Sequence, residues 1–295
     1  MRTNWNNSFD ISNARDISDA LSIANLDWEV EGKPIYDENH KEITGFKANT
    51  RVDTNEVFAI VSSKYHIVQN SDAFEFIDNL VNEYGMKFEE AGVYKDGASS
   101  WISGSFGTVD INGVTVENRI AIQNSHDGSV GLKVSIIPYI NNGSILNPNI
   151  SARRSIILKH VGAIKNKVLN AKESFGLSNR YLSALKDTSN ELINKKLTER
   201  QIRLILASLV KFDFTSTNER KVRSYEHFCN TFFSFYHKLD KKPYYGTAWG
   251  VLIASSEMIC QGEARRKTKN SSENKFHAVI NGYSLLDQMY KELIK

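Results

Sequence analysis

Three residues that could carry out chemistry follow one another at positions 125–127. Ser125 offers a hydroxyl, His126 an imidazole and Asp127 a carboxylate, which are the groups of a hydrolase triad. A triad is defined by its geometry, and neighbours on a strand point to opposite faces, so adjacent residues cannot form one among themselves. A hydrolase would therefore need further groups from distant parts of the chain.

The same residues, with Gly128 after them, admit two other interpretations. The pair Asp127-Gly128 is typical of a chain reversal, in which His126 would only cap the turn. Alternatively, the hydroxyl, the imidazole and the free N–H groups of the loop would hold a phosphate. The sequence leaves both interpretations open.

Two groups of cationic residues could neutralise the phosphates of a nucleic acid. The first lies in a predicted helix over 151–175, and the second lies in a loop over 262–275. Each neutralised phosphate releases counterions and adds salt-sensitive affinity. The competing interpretation is an ordinary solvated helix surface and loop. The predicted nucleic-acid contacts are Arg153, Arg154, Lys159, His160, Lys165, Lys167, Lys172, Arg265, Arg266, Lys267 and Lys269.

Charge is distributed unevenly along the chain. Residues 1–95 hold 9 Lys and Arg against 17 Asp and Glu, a net charge of −8, whereas residues 96–295 hold 28 against 17, a net charge of +11. This asymmetry favours an anionic partner for the second part of the chain. An ordinary dipolar surface would give the same counts.

Several classes of protein are disfavoured by what the sequence lacks. No apolar stretch reaches the roughly 18 residues of a membrane span, and residues 1–16 lack the apolar segment of a secretory signal. Cys229 and Cys260 provide neither a disulfide framework nor a metal-ligand spacing, which favours a reducing, cytoplasmic compartment. The histidines show no metal-binding spacing and no phosphate-binding glycine motif occurs, so we predict no metal and no cofactor.

The clearest local structure is an antiparallel meander in the middle of the chain. Strand patterns cover 100–111, 115–124 and 130–136, and the loop at 125–129 joins the second strand to the third. Asn112-Gly113 is a hairpin signal, because a type I′ turn needs positive φ at both central positions.

Apolar patterns before the meander predict further strands and one helix. Strands are predicted at 28–36, 45–52 and 57–61, the last of them buried. An amphipathic helix over 70–84 follows, with Gly85 in the left-handed conformation at its end.

These elements predict an α+β fold with three parts. Residues 1–24 would form an N-terminal arm, residues 25–175 an antiparallel core, and residues 176–295 a helical region packed against that core. A meander followed by a basic helix has the β-β-β-α order of strand-annealing recombination proteins. That is an analogy of fold, which does not establish function.

Residues 61–78 read VSSKYHIVQNSDAFEFID, and residues 91–104 read AGVYKDGASSWISG. Together these two strings resemble the DUF932 family, also called phage/plasmid-like proteins. Residues 121–140, AIQNSHDGSVGLKVSIIPYI, resemble the Ser-His-Asp-Gly block of the family. Residues 158–162, LKHVG, are similar to its basic stretch, and residues 247–267, TAWGVLIASSEMICQGEARRK, to its C-terminal Trp helix and basic loop.

One element of the family is missing from this chain. Where members often have Val-Cys-x-Asn after the third strand, residues 138–147 read PYINNGSILN and contain no cysteine. A function of the family that depends on that thiol would be lost here.

The resemblance implies a setting in phages and plasmids, and so a role in nucleic-acid metabolism or counter-defence. With the charge asymmetry, it leads to the hypothesis of a nucleic-acid-binding protein that acts on single-stranded DNA in recombination, as a homo-oligomeric ring or filament. The alternative is a counter-defence protein that binds and inhibits a host enzyme through its acidic N-terminal third. A hydrolase built on the 125–127 loop is the third hypothesis, and an enzyme is the less favoured class.

Overall fold

The fold is α+β, with antiparallel sheets and helices that lie mainly in the C-terminal part, as the sequence predicts. The computed structural model describes residues 8–140, 143–158, 171–262 and 271–295. Within those ranges, no helix is long and apolar enough to cross a membrane.

The predicted meander is confirmed and forms the centre of the larger sheet. It consists of β6 (Ser99–Ile111), β7 (Val114–Ser125) and β8 (Leu132–Ile136), each antiparallel to the next. Asn112 and Gly113 have φ values of 50° and 80°, as a type I′ turn requires. The side chain of Asn112 also donates to Ser189 Oγ at 2.8 Å, which ties the tip of this hairpin to the helical region.

Further strands extend the meander on both sides. The added strands are β1 (Ser8–Asp10), β5 (Lys87–Tyr94), β9 (Tyr139–Ile140), β10 (Ser144–Ile145) and β11 (Ser155–Leu158). The order across the main path is β1-β5-β6-β7-β8-β11, and the short pair of β9 and β10 joins the sheet through β7.

A second sheet of three strands packs over the loop at 125–129. Its strands are β2 (Val30–Lys33), β3 (Phe46–Arg51) and β4 (Val57–Ser62), which lie in that order. The prediction of a buried strand at 57–61 is right about the strand and wrong about its burial, since Val57 and Ile60 are 55% and 62% exposed. An apolar run fits a strand that is buried on both faces, but here only one face has a covering neighbour.

The helix predicted over 70–84 is divided into α2 (Asn70–Phe74) and α3 (Ile77–Tyr84). Its predicted apolar face is buried at Phe74, Ile77 and Leu80. Gly85 ends α3 with φ 68°, a left-handed conformation that glycine adopts without a steric penalty.

The predicted helix over 151–175 is wrong in its first part. Residues Ser155–Leu158 form β11, which pairs with β8 in antiparallel register, so that Ile156 lies opposite Val134. Residues 159–170 lie outside the described residues, and α4 (Ala171–Asn194) begins after them. The spacing of the apolar residues is compatible with a helix, but the segment forms a strand because it pairs with the edge strand β8.

The C-terminal region is helical, as predicted. After α4 come α5 (Glu199–Leu209), α6 (Glu219–Tyr236), α7 (Ala248–Gln261), α8 (Ser271–Asn281) and α9 (Ser284–Leu293). The apolar helix α7 is buried along most of its length and packs against α4, α6, α9 and β10. Thr247 caps its N-terminus by accepting a hydrogen bond from Gly250 N at 3.1 Å.

The residues predicted as an N-terminal arm are described from Ser8 onward. Ser8–Asp10 pairs with β5 as an edge strand, and α1 (Ile17–Ile23) follows it. Ile11, Ile17 and Leu21 are buried in the core, so this segment packs as part of the main body.

A substitution at Gly250 tests whether α7 lies as close to the preceding turn as the structure shows. A Cβ at this position would lie 2.4 Å from Tyr244 O, a backbone atom that cannot move aside alone. We expect Gly250→Ala to destabilise the protein by about 3 kcal/mol, the upper range for overpacking, in a urea titration.

The matched control is Gly176→Ala, another glycine within a helix. A Cβ there would meet only the flexible end of Arg180, at 3.1 Å. We expect a gain of up to about 1 kcal/mol from helix propensity. Equal changes in the free energy of unfolding for the two substitutions would contradict the close approach of Gly250 to Tyr244 O.

Candidate functional site

A buried cluster of amides and one imidazole lies between the two sheets. We call it the amide cluster and define it as Asn49, Asn70, Ser100, Asn124 and His126, which are at most 1% exposed. They come from β3, α2, β6, β7 and the 125–129 loop, which are distant in sequence. The cluster therefore joins the smaller sheet to the larger one.

Asn70 is the centre of the amide cluster. Its Oδ1 accepts a hydrogen bond from Ser100 Oγ at 2.6 Å, and it lies 3.3 Å from Asn124 Nδ2 and 3.1 Å from His126 Nε2. Its Nδ2 donates to Leu26 O at 3.0 Å, which fixes the orientation of the amide. An amide oxygen only accepts, so the contact with His126 requires a proton on Nε2.

Aromatic rings enclose His126. Its ring lies edge-on to Trp28 with centroids 5.2 Å apart and is stacked with Phe58 at 6.0 Å. The guanidinium of Arg51 lies 4.7 Å from the Trp28 ring centre, and Asn49 Nδ2 donates to His126 O at 2.7 Å. His126 is thus held inside the structure, whereas the sequence predicted a residue at the tip of a turn.

Ser125 and Asp127 have other partners. Ser125 Oγ donates to Val130 O and accepts from Val130 N, and its carbonyl accepts from Tyr65 Oη at 2.9 Å. Asp127 pairs with Lys95 Nζ at 2.7 Å. Burial raises the pKa of Asp127, but hydrogen bonds from Lys95 and Ser129 outweigh that effect and hold the pKa below its ordinary value.

The loop has the features of the turn interpretation. Gly128 has φ 74°, and Asp127 Oδ1 accepts from Ser129 N at 2.9 Å, which closes the reversal. Through these hydrogen bonds the hydroxyl, the imidazole and the carboxylate each contact a different part of the protein. The phosphate site and the hydrolase stay predictions.

Most of the positions that build the amide cluster lie in the segments that carry the family resemblance. Tyr65 and Asn70 belong to the 61–78 string, and Asn124 to Gly128 belong to the Ser-His-Asp-Gly block. A model of the family described as "Domain of unknown function (DUF932)" matches residues 57–280. The chain belongs to the DUF932 family.

The remaining comparisons add no relative. Neither a curated protein nor a solved structure matches the chain. The description of the DUF932 family names no activity, so any function has to be argued from the geometry of this chain.

The structure describes three of the predicted cationic contacts. Arg153 and Lys172 are exposed, whereas Arg154 is only partly exposed. The others lie outside the described residues: Lys159, His160, Lys165, Lys167, Arg265, Arg266, Lys267 and Lys269.

Arg154 is held by a structural ion pair. Its guanidinium forms a bidentate contact with Asp287 of α9, at 2.8 and 3.0 Å, and donates to Asn147 O at 3.1 Å. A bidentate pair fixes both side chains, so Arg154 is less free to contact a phosphate than Arg153.

Sequence reasoning missed Lys133, which lies beside these cations on β8. It is 4% exposed, and its Nζ donates to Asn281 Oδ1 at 2.5 Å. Burial, and then repulsion by Arg154, lowers the pKa of Lys133 to about 8. The available signal was a charged residue between Leu132 and Val134 in a strand whose two faces are both covered.

Asn70 tests how far the amide cluster supports the fold. We expect Asn70→Ala to lower the free energy of unfolding by about 2–4 kcal/mol, because Ser100 and Asn124 lose a buried acceptor. Chemical denaturation measures the change. Asn179→Ala, an exposed position on α4, is the control and should stay within about 0.5 kcal/mol of the parent protein.

Lys133 gives a pH-dependent test. Between pH 8 and 10.5 the unfolded chain binds a proton that the folded chain has released, so stability should rise with pH in this window. We expect Lys133→Met to be more stable at pH 7 by about 1–2 kcal/mol and to lack the rise. Lys64→Met, at an exposed site, should keep the rise of the parent protein.

Proposed function

We propose that the protein binds nucleic acid, with single-stranded DNA as its ligand. The observation that carries the proposal is a group of three cations at the β8–β11 edge of the larger sheet, which we call the edge cations: Lys133, Arg153 and Arg154. Within the described part of the chain, the only carboxylate in an ion pair with any of them is Asp287.

Positive charge at this edge is therefore in excess. Lys133 has an amide oxygen as its hydrogen-bond partner, and its lowered pKa reflects both burial and the positive charge of Arg154. Arg153 is exposed beside this positive potential. An anion that approached Arg153 would gain from the uncompensated charge behind it, and a polyphosphate backbone is such an anion.

The distribution of charge along the chain supports the same ligand. The net charge of +11 over residues 96–295 includes all three edge cations and α4, whose Lys172 is exposed. The analogy with strand-annealing proteins is weaker than the sequence suggested, because β9, β10 and β11 separate the meander from α4. The proposal rests on charge and not on fold.

An anisotropy titration with a labelled 20-nucleotide single strand, across a salt series and with duplex as the comparison, tests the proposal. We expect micromolar or tighter binding and a steep negative salt slope. Arg153→Glu should weaken binding about tenfold and reduce the slope by about 0.7, the value for one phosphate contact on a single strand.

Lys64→Glu makes the same change of charge after β4, away from the edge cations, and should bind like the parent protein. Equal affinities of the parent protein and Arg153→Glu would contradict the role of the edge. No binding at low salt would remove nucleic acid as the direct ligand.

A protein partner is the second candidate, as in the counter-defence hypothesis. The outer face of the smaller sheet favours it, because Phe46, Val57 and Ile60 are more than half exposed there and an exposed apolar patch is typical of protein interfaces. A stoichiometric protein partner from host lysate, in place of nucleic acid, would distinguish this candidate from the first.

A further inference from the structure

A groove runs between the end of α5 and one face of α6. It has a volume of about 470 Å³ and is open to solvent. This volume lies within the range of sites that hold ligands of nucleotide size, roughly 300–1,000 Å³. Its lining residues are Val210, Lys211, Phe212, Asp213, Lys221, Ser224, Tyr225, His227, Phe228 and Thr231.

Aromatic rings give the groove a rigid wall. Phe212 and Tyr225 lie parallel, with centroids 4.2 Å apart and planes within 8°. Tyr225 Oη donates to Arg203 O at 2.8 Å, which holds its ring in place. Phe214 packs edge-on against both rings and is 60% exposed, so an apolar ring stands in solvent beside the groove.

Cations accompany the rings. Lys211 and Lys221 line the groove, and both are exposed. The lining carboxylate, Asp213, accepts hydrogen bonds from Thr215 N at 2.8 Å and Thr215 Oγ1 at 2.7 Å. Residues 210–231, which span the lining, hold 4 Lys and Arg against 3 Asp and Glu, so Lys211 and Lys221 supply the positive charge of the groove.

We propose that this groove binds an unpaired nucleotide of a single strand. The base lies against the aromatic wall, and Lys211 and Lys221 contact the flanking phosphates. Proteins that hold single strands without sequence preference combine aromatic side chains, which stack on the bases, with cationic side chains, which contact the phosphate backbone. The inference rests on the proposed function and adds a second contact region, far along the chain from the edge cations.

The same chemistry predicts discrimination between single strands and duplexes. In a duplex the bases are stacked within the helix and cannot reach the rings, so only the phosphate contacts with Lys211 and Lys221 would remain. The groove should therefore contribute more to the affinity for a single strand than to that for a duplex.

Substitutions at the groove test the inference in the full-length protein, with a labelled 20-mer of thymidylate in about 100 mM salt. We expect the double variant Lys211→Glu, Lys221→Glu to bind about tenfold more weakly, with a salt slope reduced by about 1.4 for two lost phosphate contacts. Phe214→Ala should weaken binding about fivefold or more through lost stacking, with little change in slope.

The matched control is the double variant Lys41→Glu, Lys64→Glu, which changes the charge equally at exposed positions outside the groove. Ultraviolet crosslinking of a strand that contains 5-iodouracil provides a readout without substitutions. We expect the crosslink in the peptide that spans residues 210–231.

The outcomes separate the two proposals. If the parent protein does not bind single strands, both the proposed function and the groove are overturned. If it binds but the groove variants behave like the control, only the groove is overturned. A last outcome concerns free nucleotides. If thymidine monophosphate displaced the strand and bound the groove as tightly as one nucleotide of the strand does, the groove would be assigned to free nucleotides. Its role on a strand would then be overturned.

Discussion

The structure depends on one buried amide group, that of Asn70. A polar side chain inside a protein must be hydrogen-bonded or its burial is costly, and Asn70 meets this requirement with groups from β6, β7, the 125–129 loop and the carbonyl of Leu26 at once. The contacts are directional and hold His126, whose carbonyl accepts a hydrogen bond from Asn49 of β3, so the smaller sheet is tied to the larger one through His126. Apolar packing alone would allow the two layers to slide.

Two of the strings that resemble the DUF932 family meet at the amide cluster. Tyr65, Asn70, Asn124 and Ser125 occur in two separate strings of sequence, and in the fold they form one connected region around His126. A signature of this kind reports how the two layers are joined. It gives the geometry of the scaffold, whereas the exposed edge cation, Arg153, lies outside both strings.

The sequence predicted the features whose causes are local. The meander follows from alternation and from the Asn112-Gly113 turn, and the end of α3 follows from Gly85, each of which acts within a few residues. The strand at Ser155–Leu158 was missed because its cause is the distant strand β8. The burial of His126 was missed for the same reason, since Trp28 and Phe58 enclose it from far along the chain.

The candidate site shows the same division. Counting charges located the positive part of the chain, but it could not tell Arg153, which is exposed, from Arg154, which is paired with Asp287. Nor could it find the α5–α6 groove, because the spacing of Lys211, Phe212 and Lys221 matches no known motif and the residues meet only after α6 folds back on α5.

The partners of the β8–β11 edge also set an order of events during synthesis. Lys133 Nζ, Asn147 Nδ2 and the Arg154 guanidinium donate to Asn281, Val279 and Asp287, which leave the ribosome more than 130 residues later. Until then the nascent sheet carries polar groups that have not met their partners, however complete its strand pairing is. A chain that ends before α8 would lack all three partners, whereas a chain that ends before α9 would lack only Asp287.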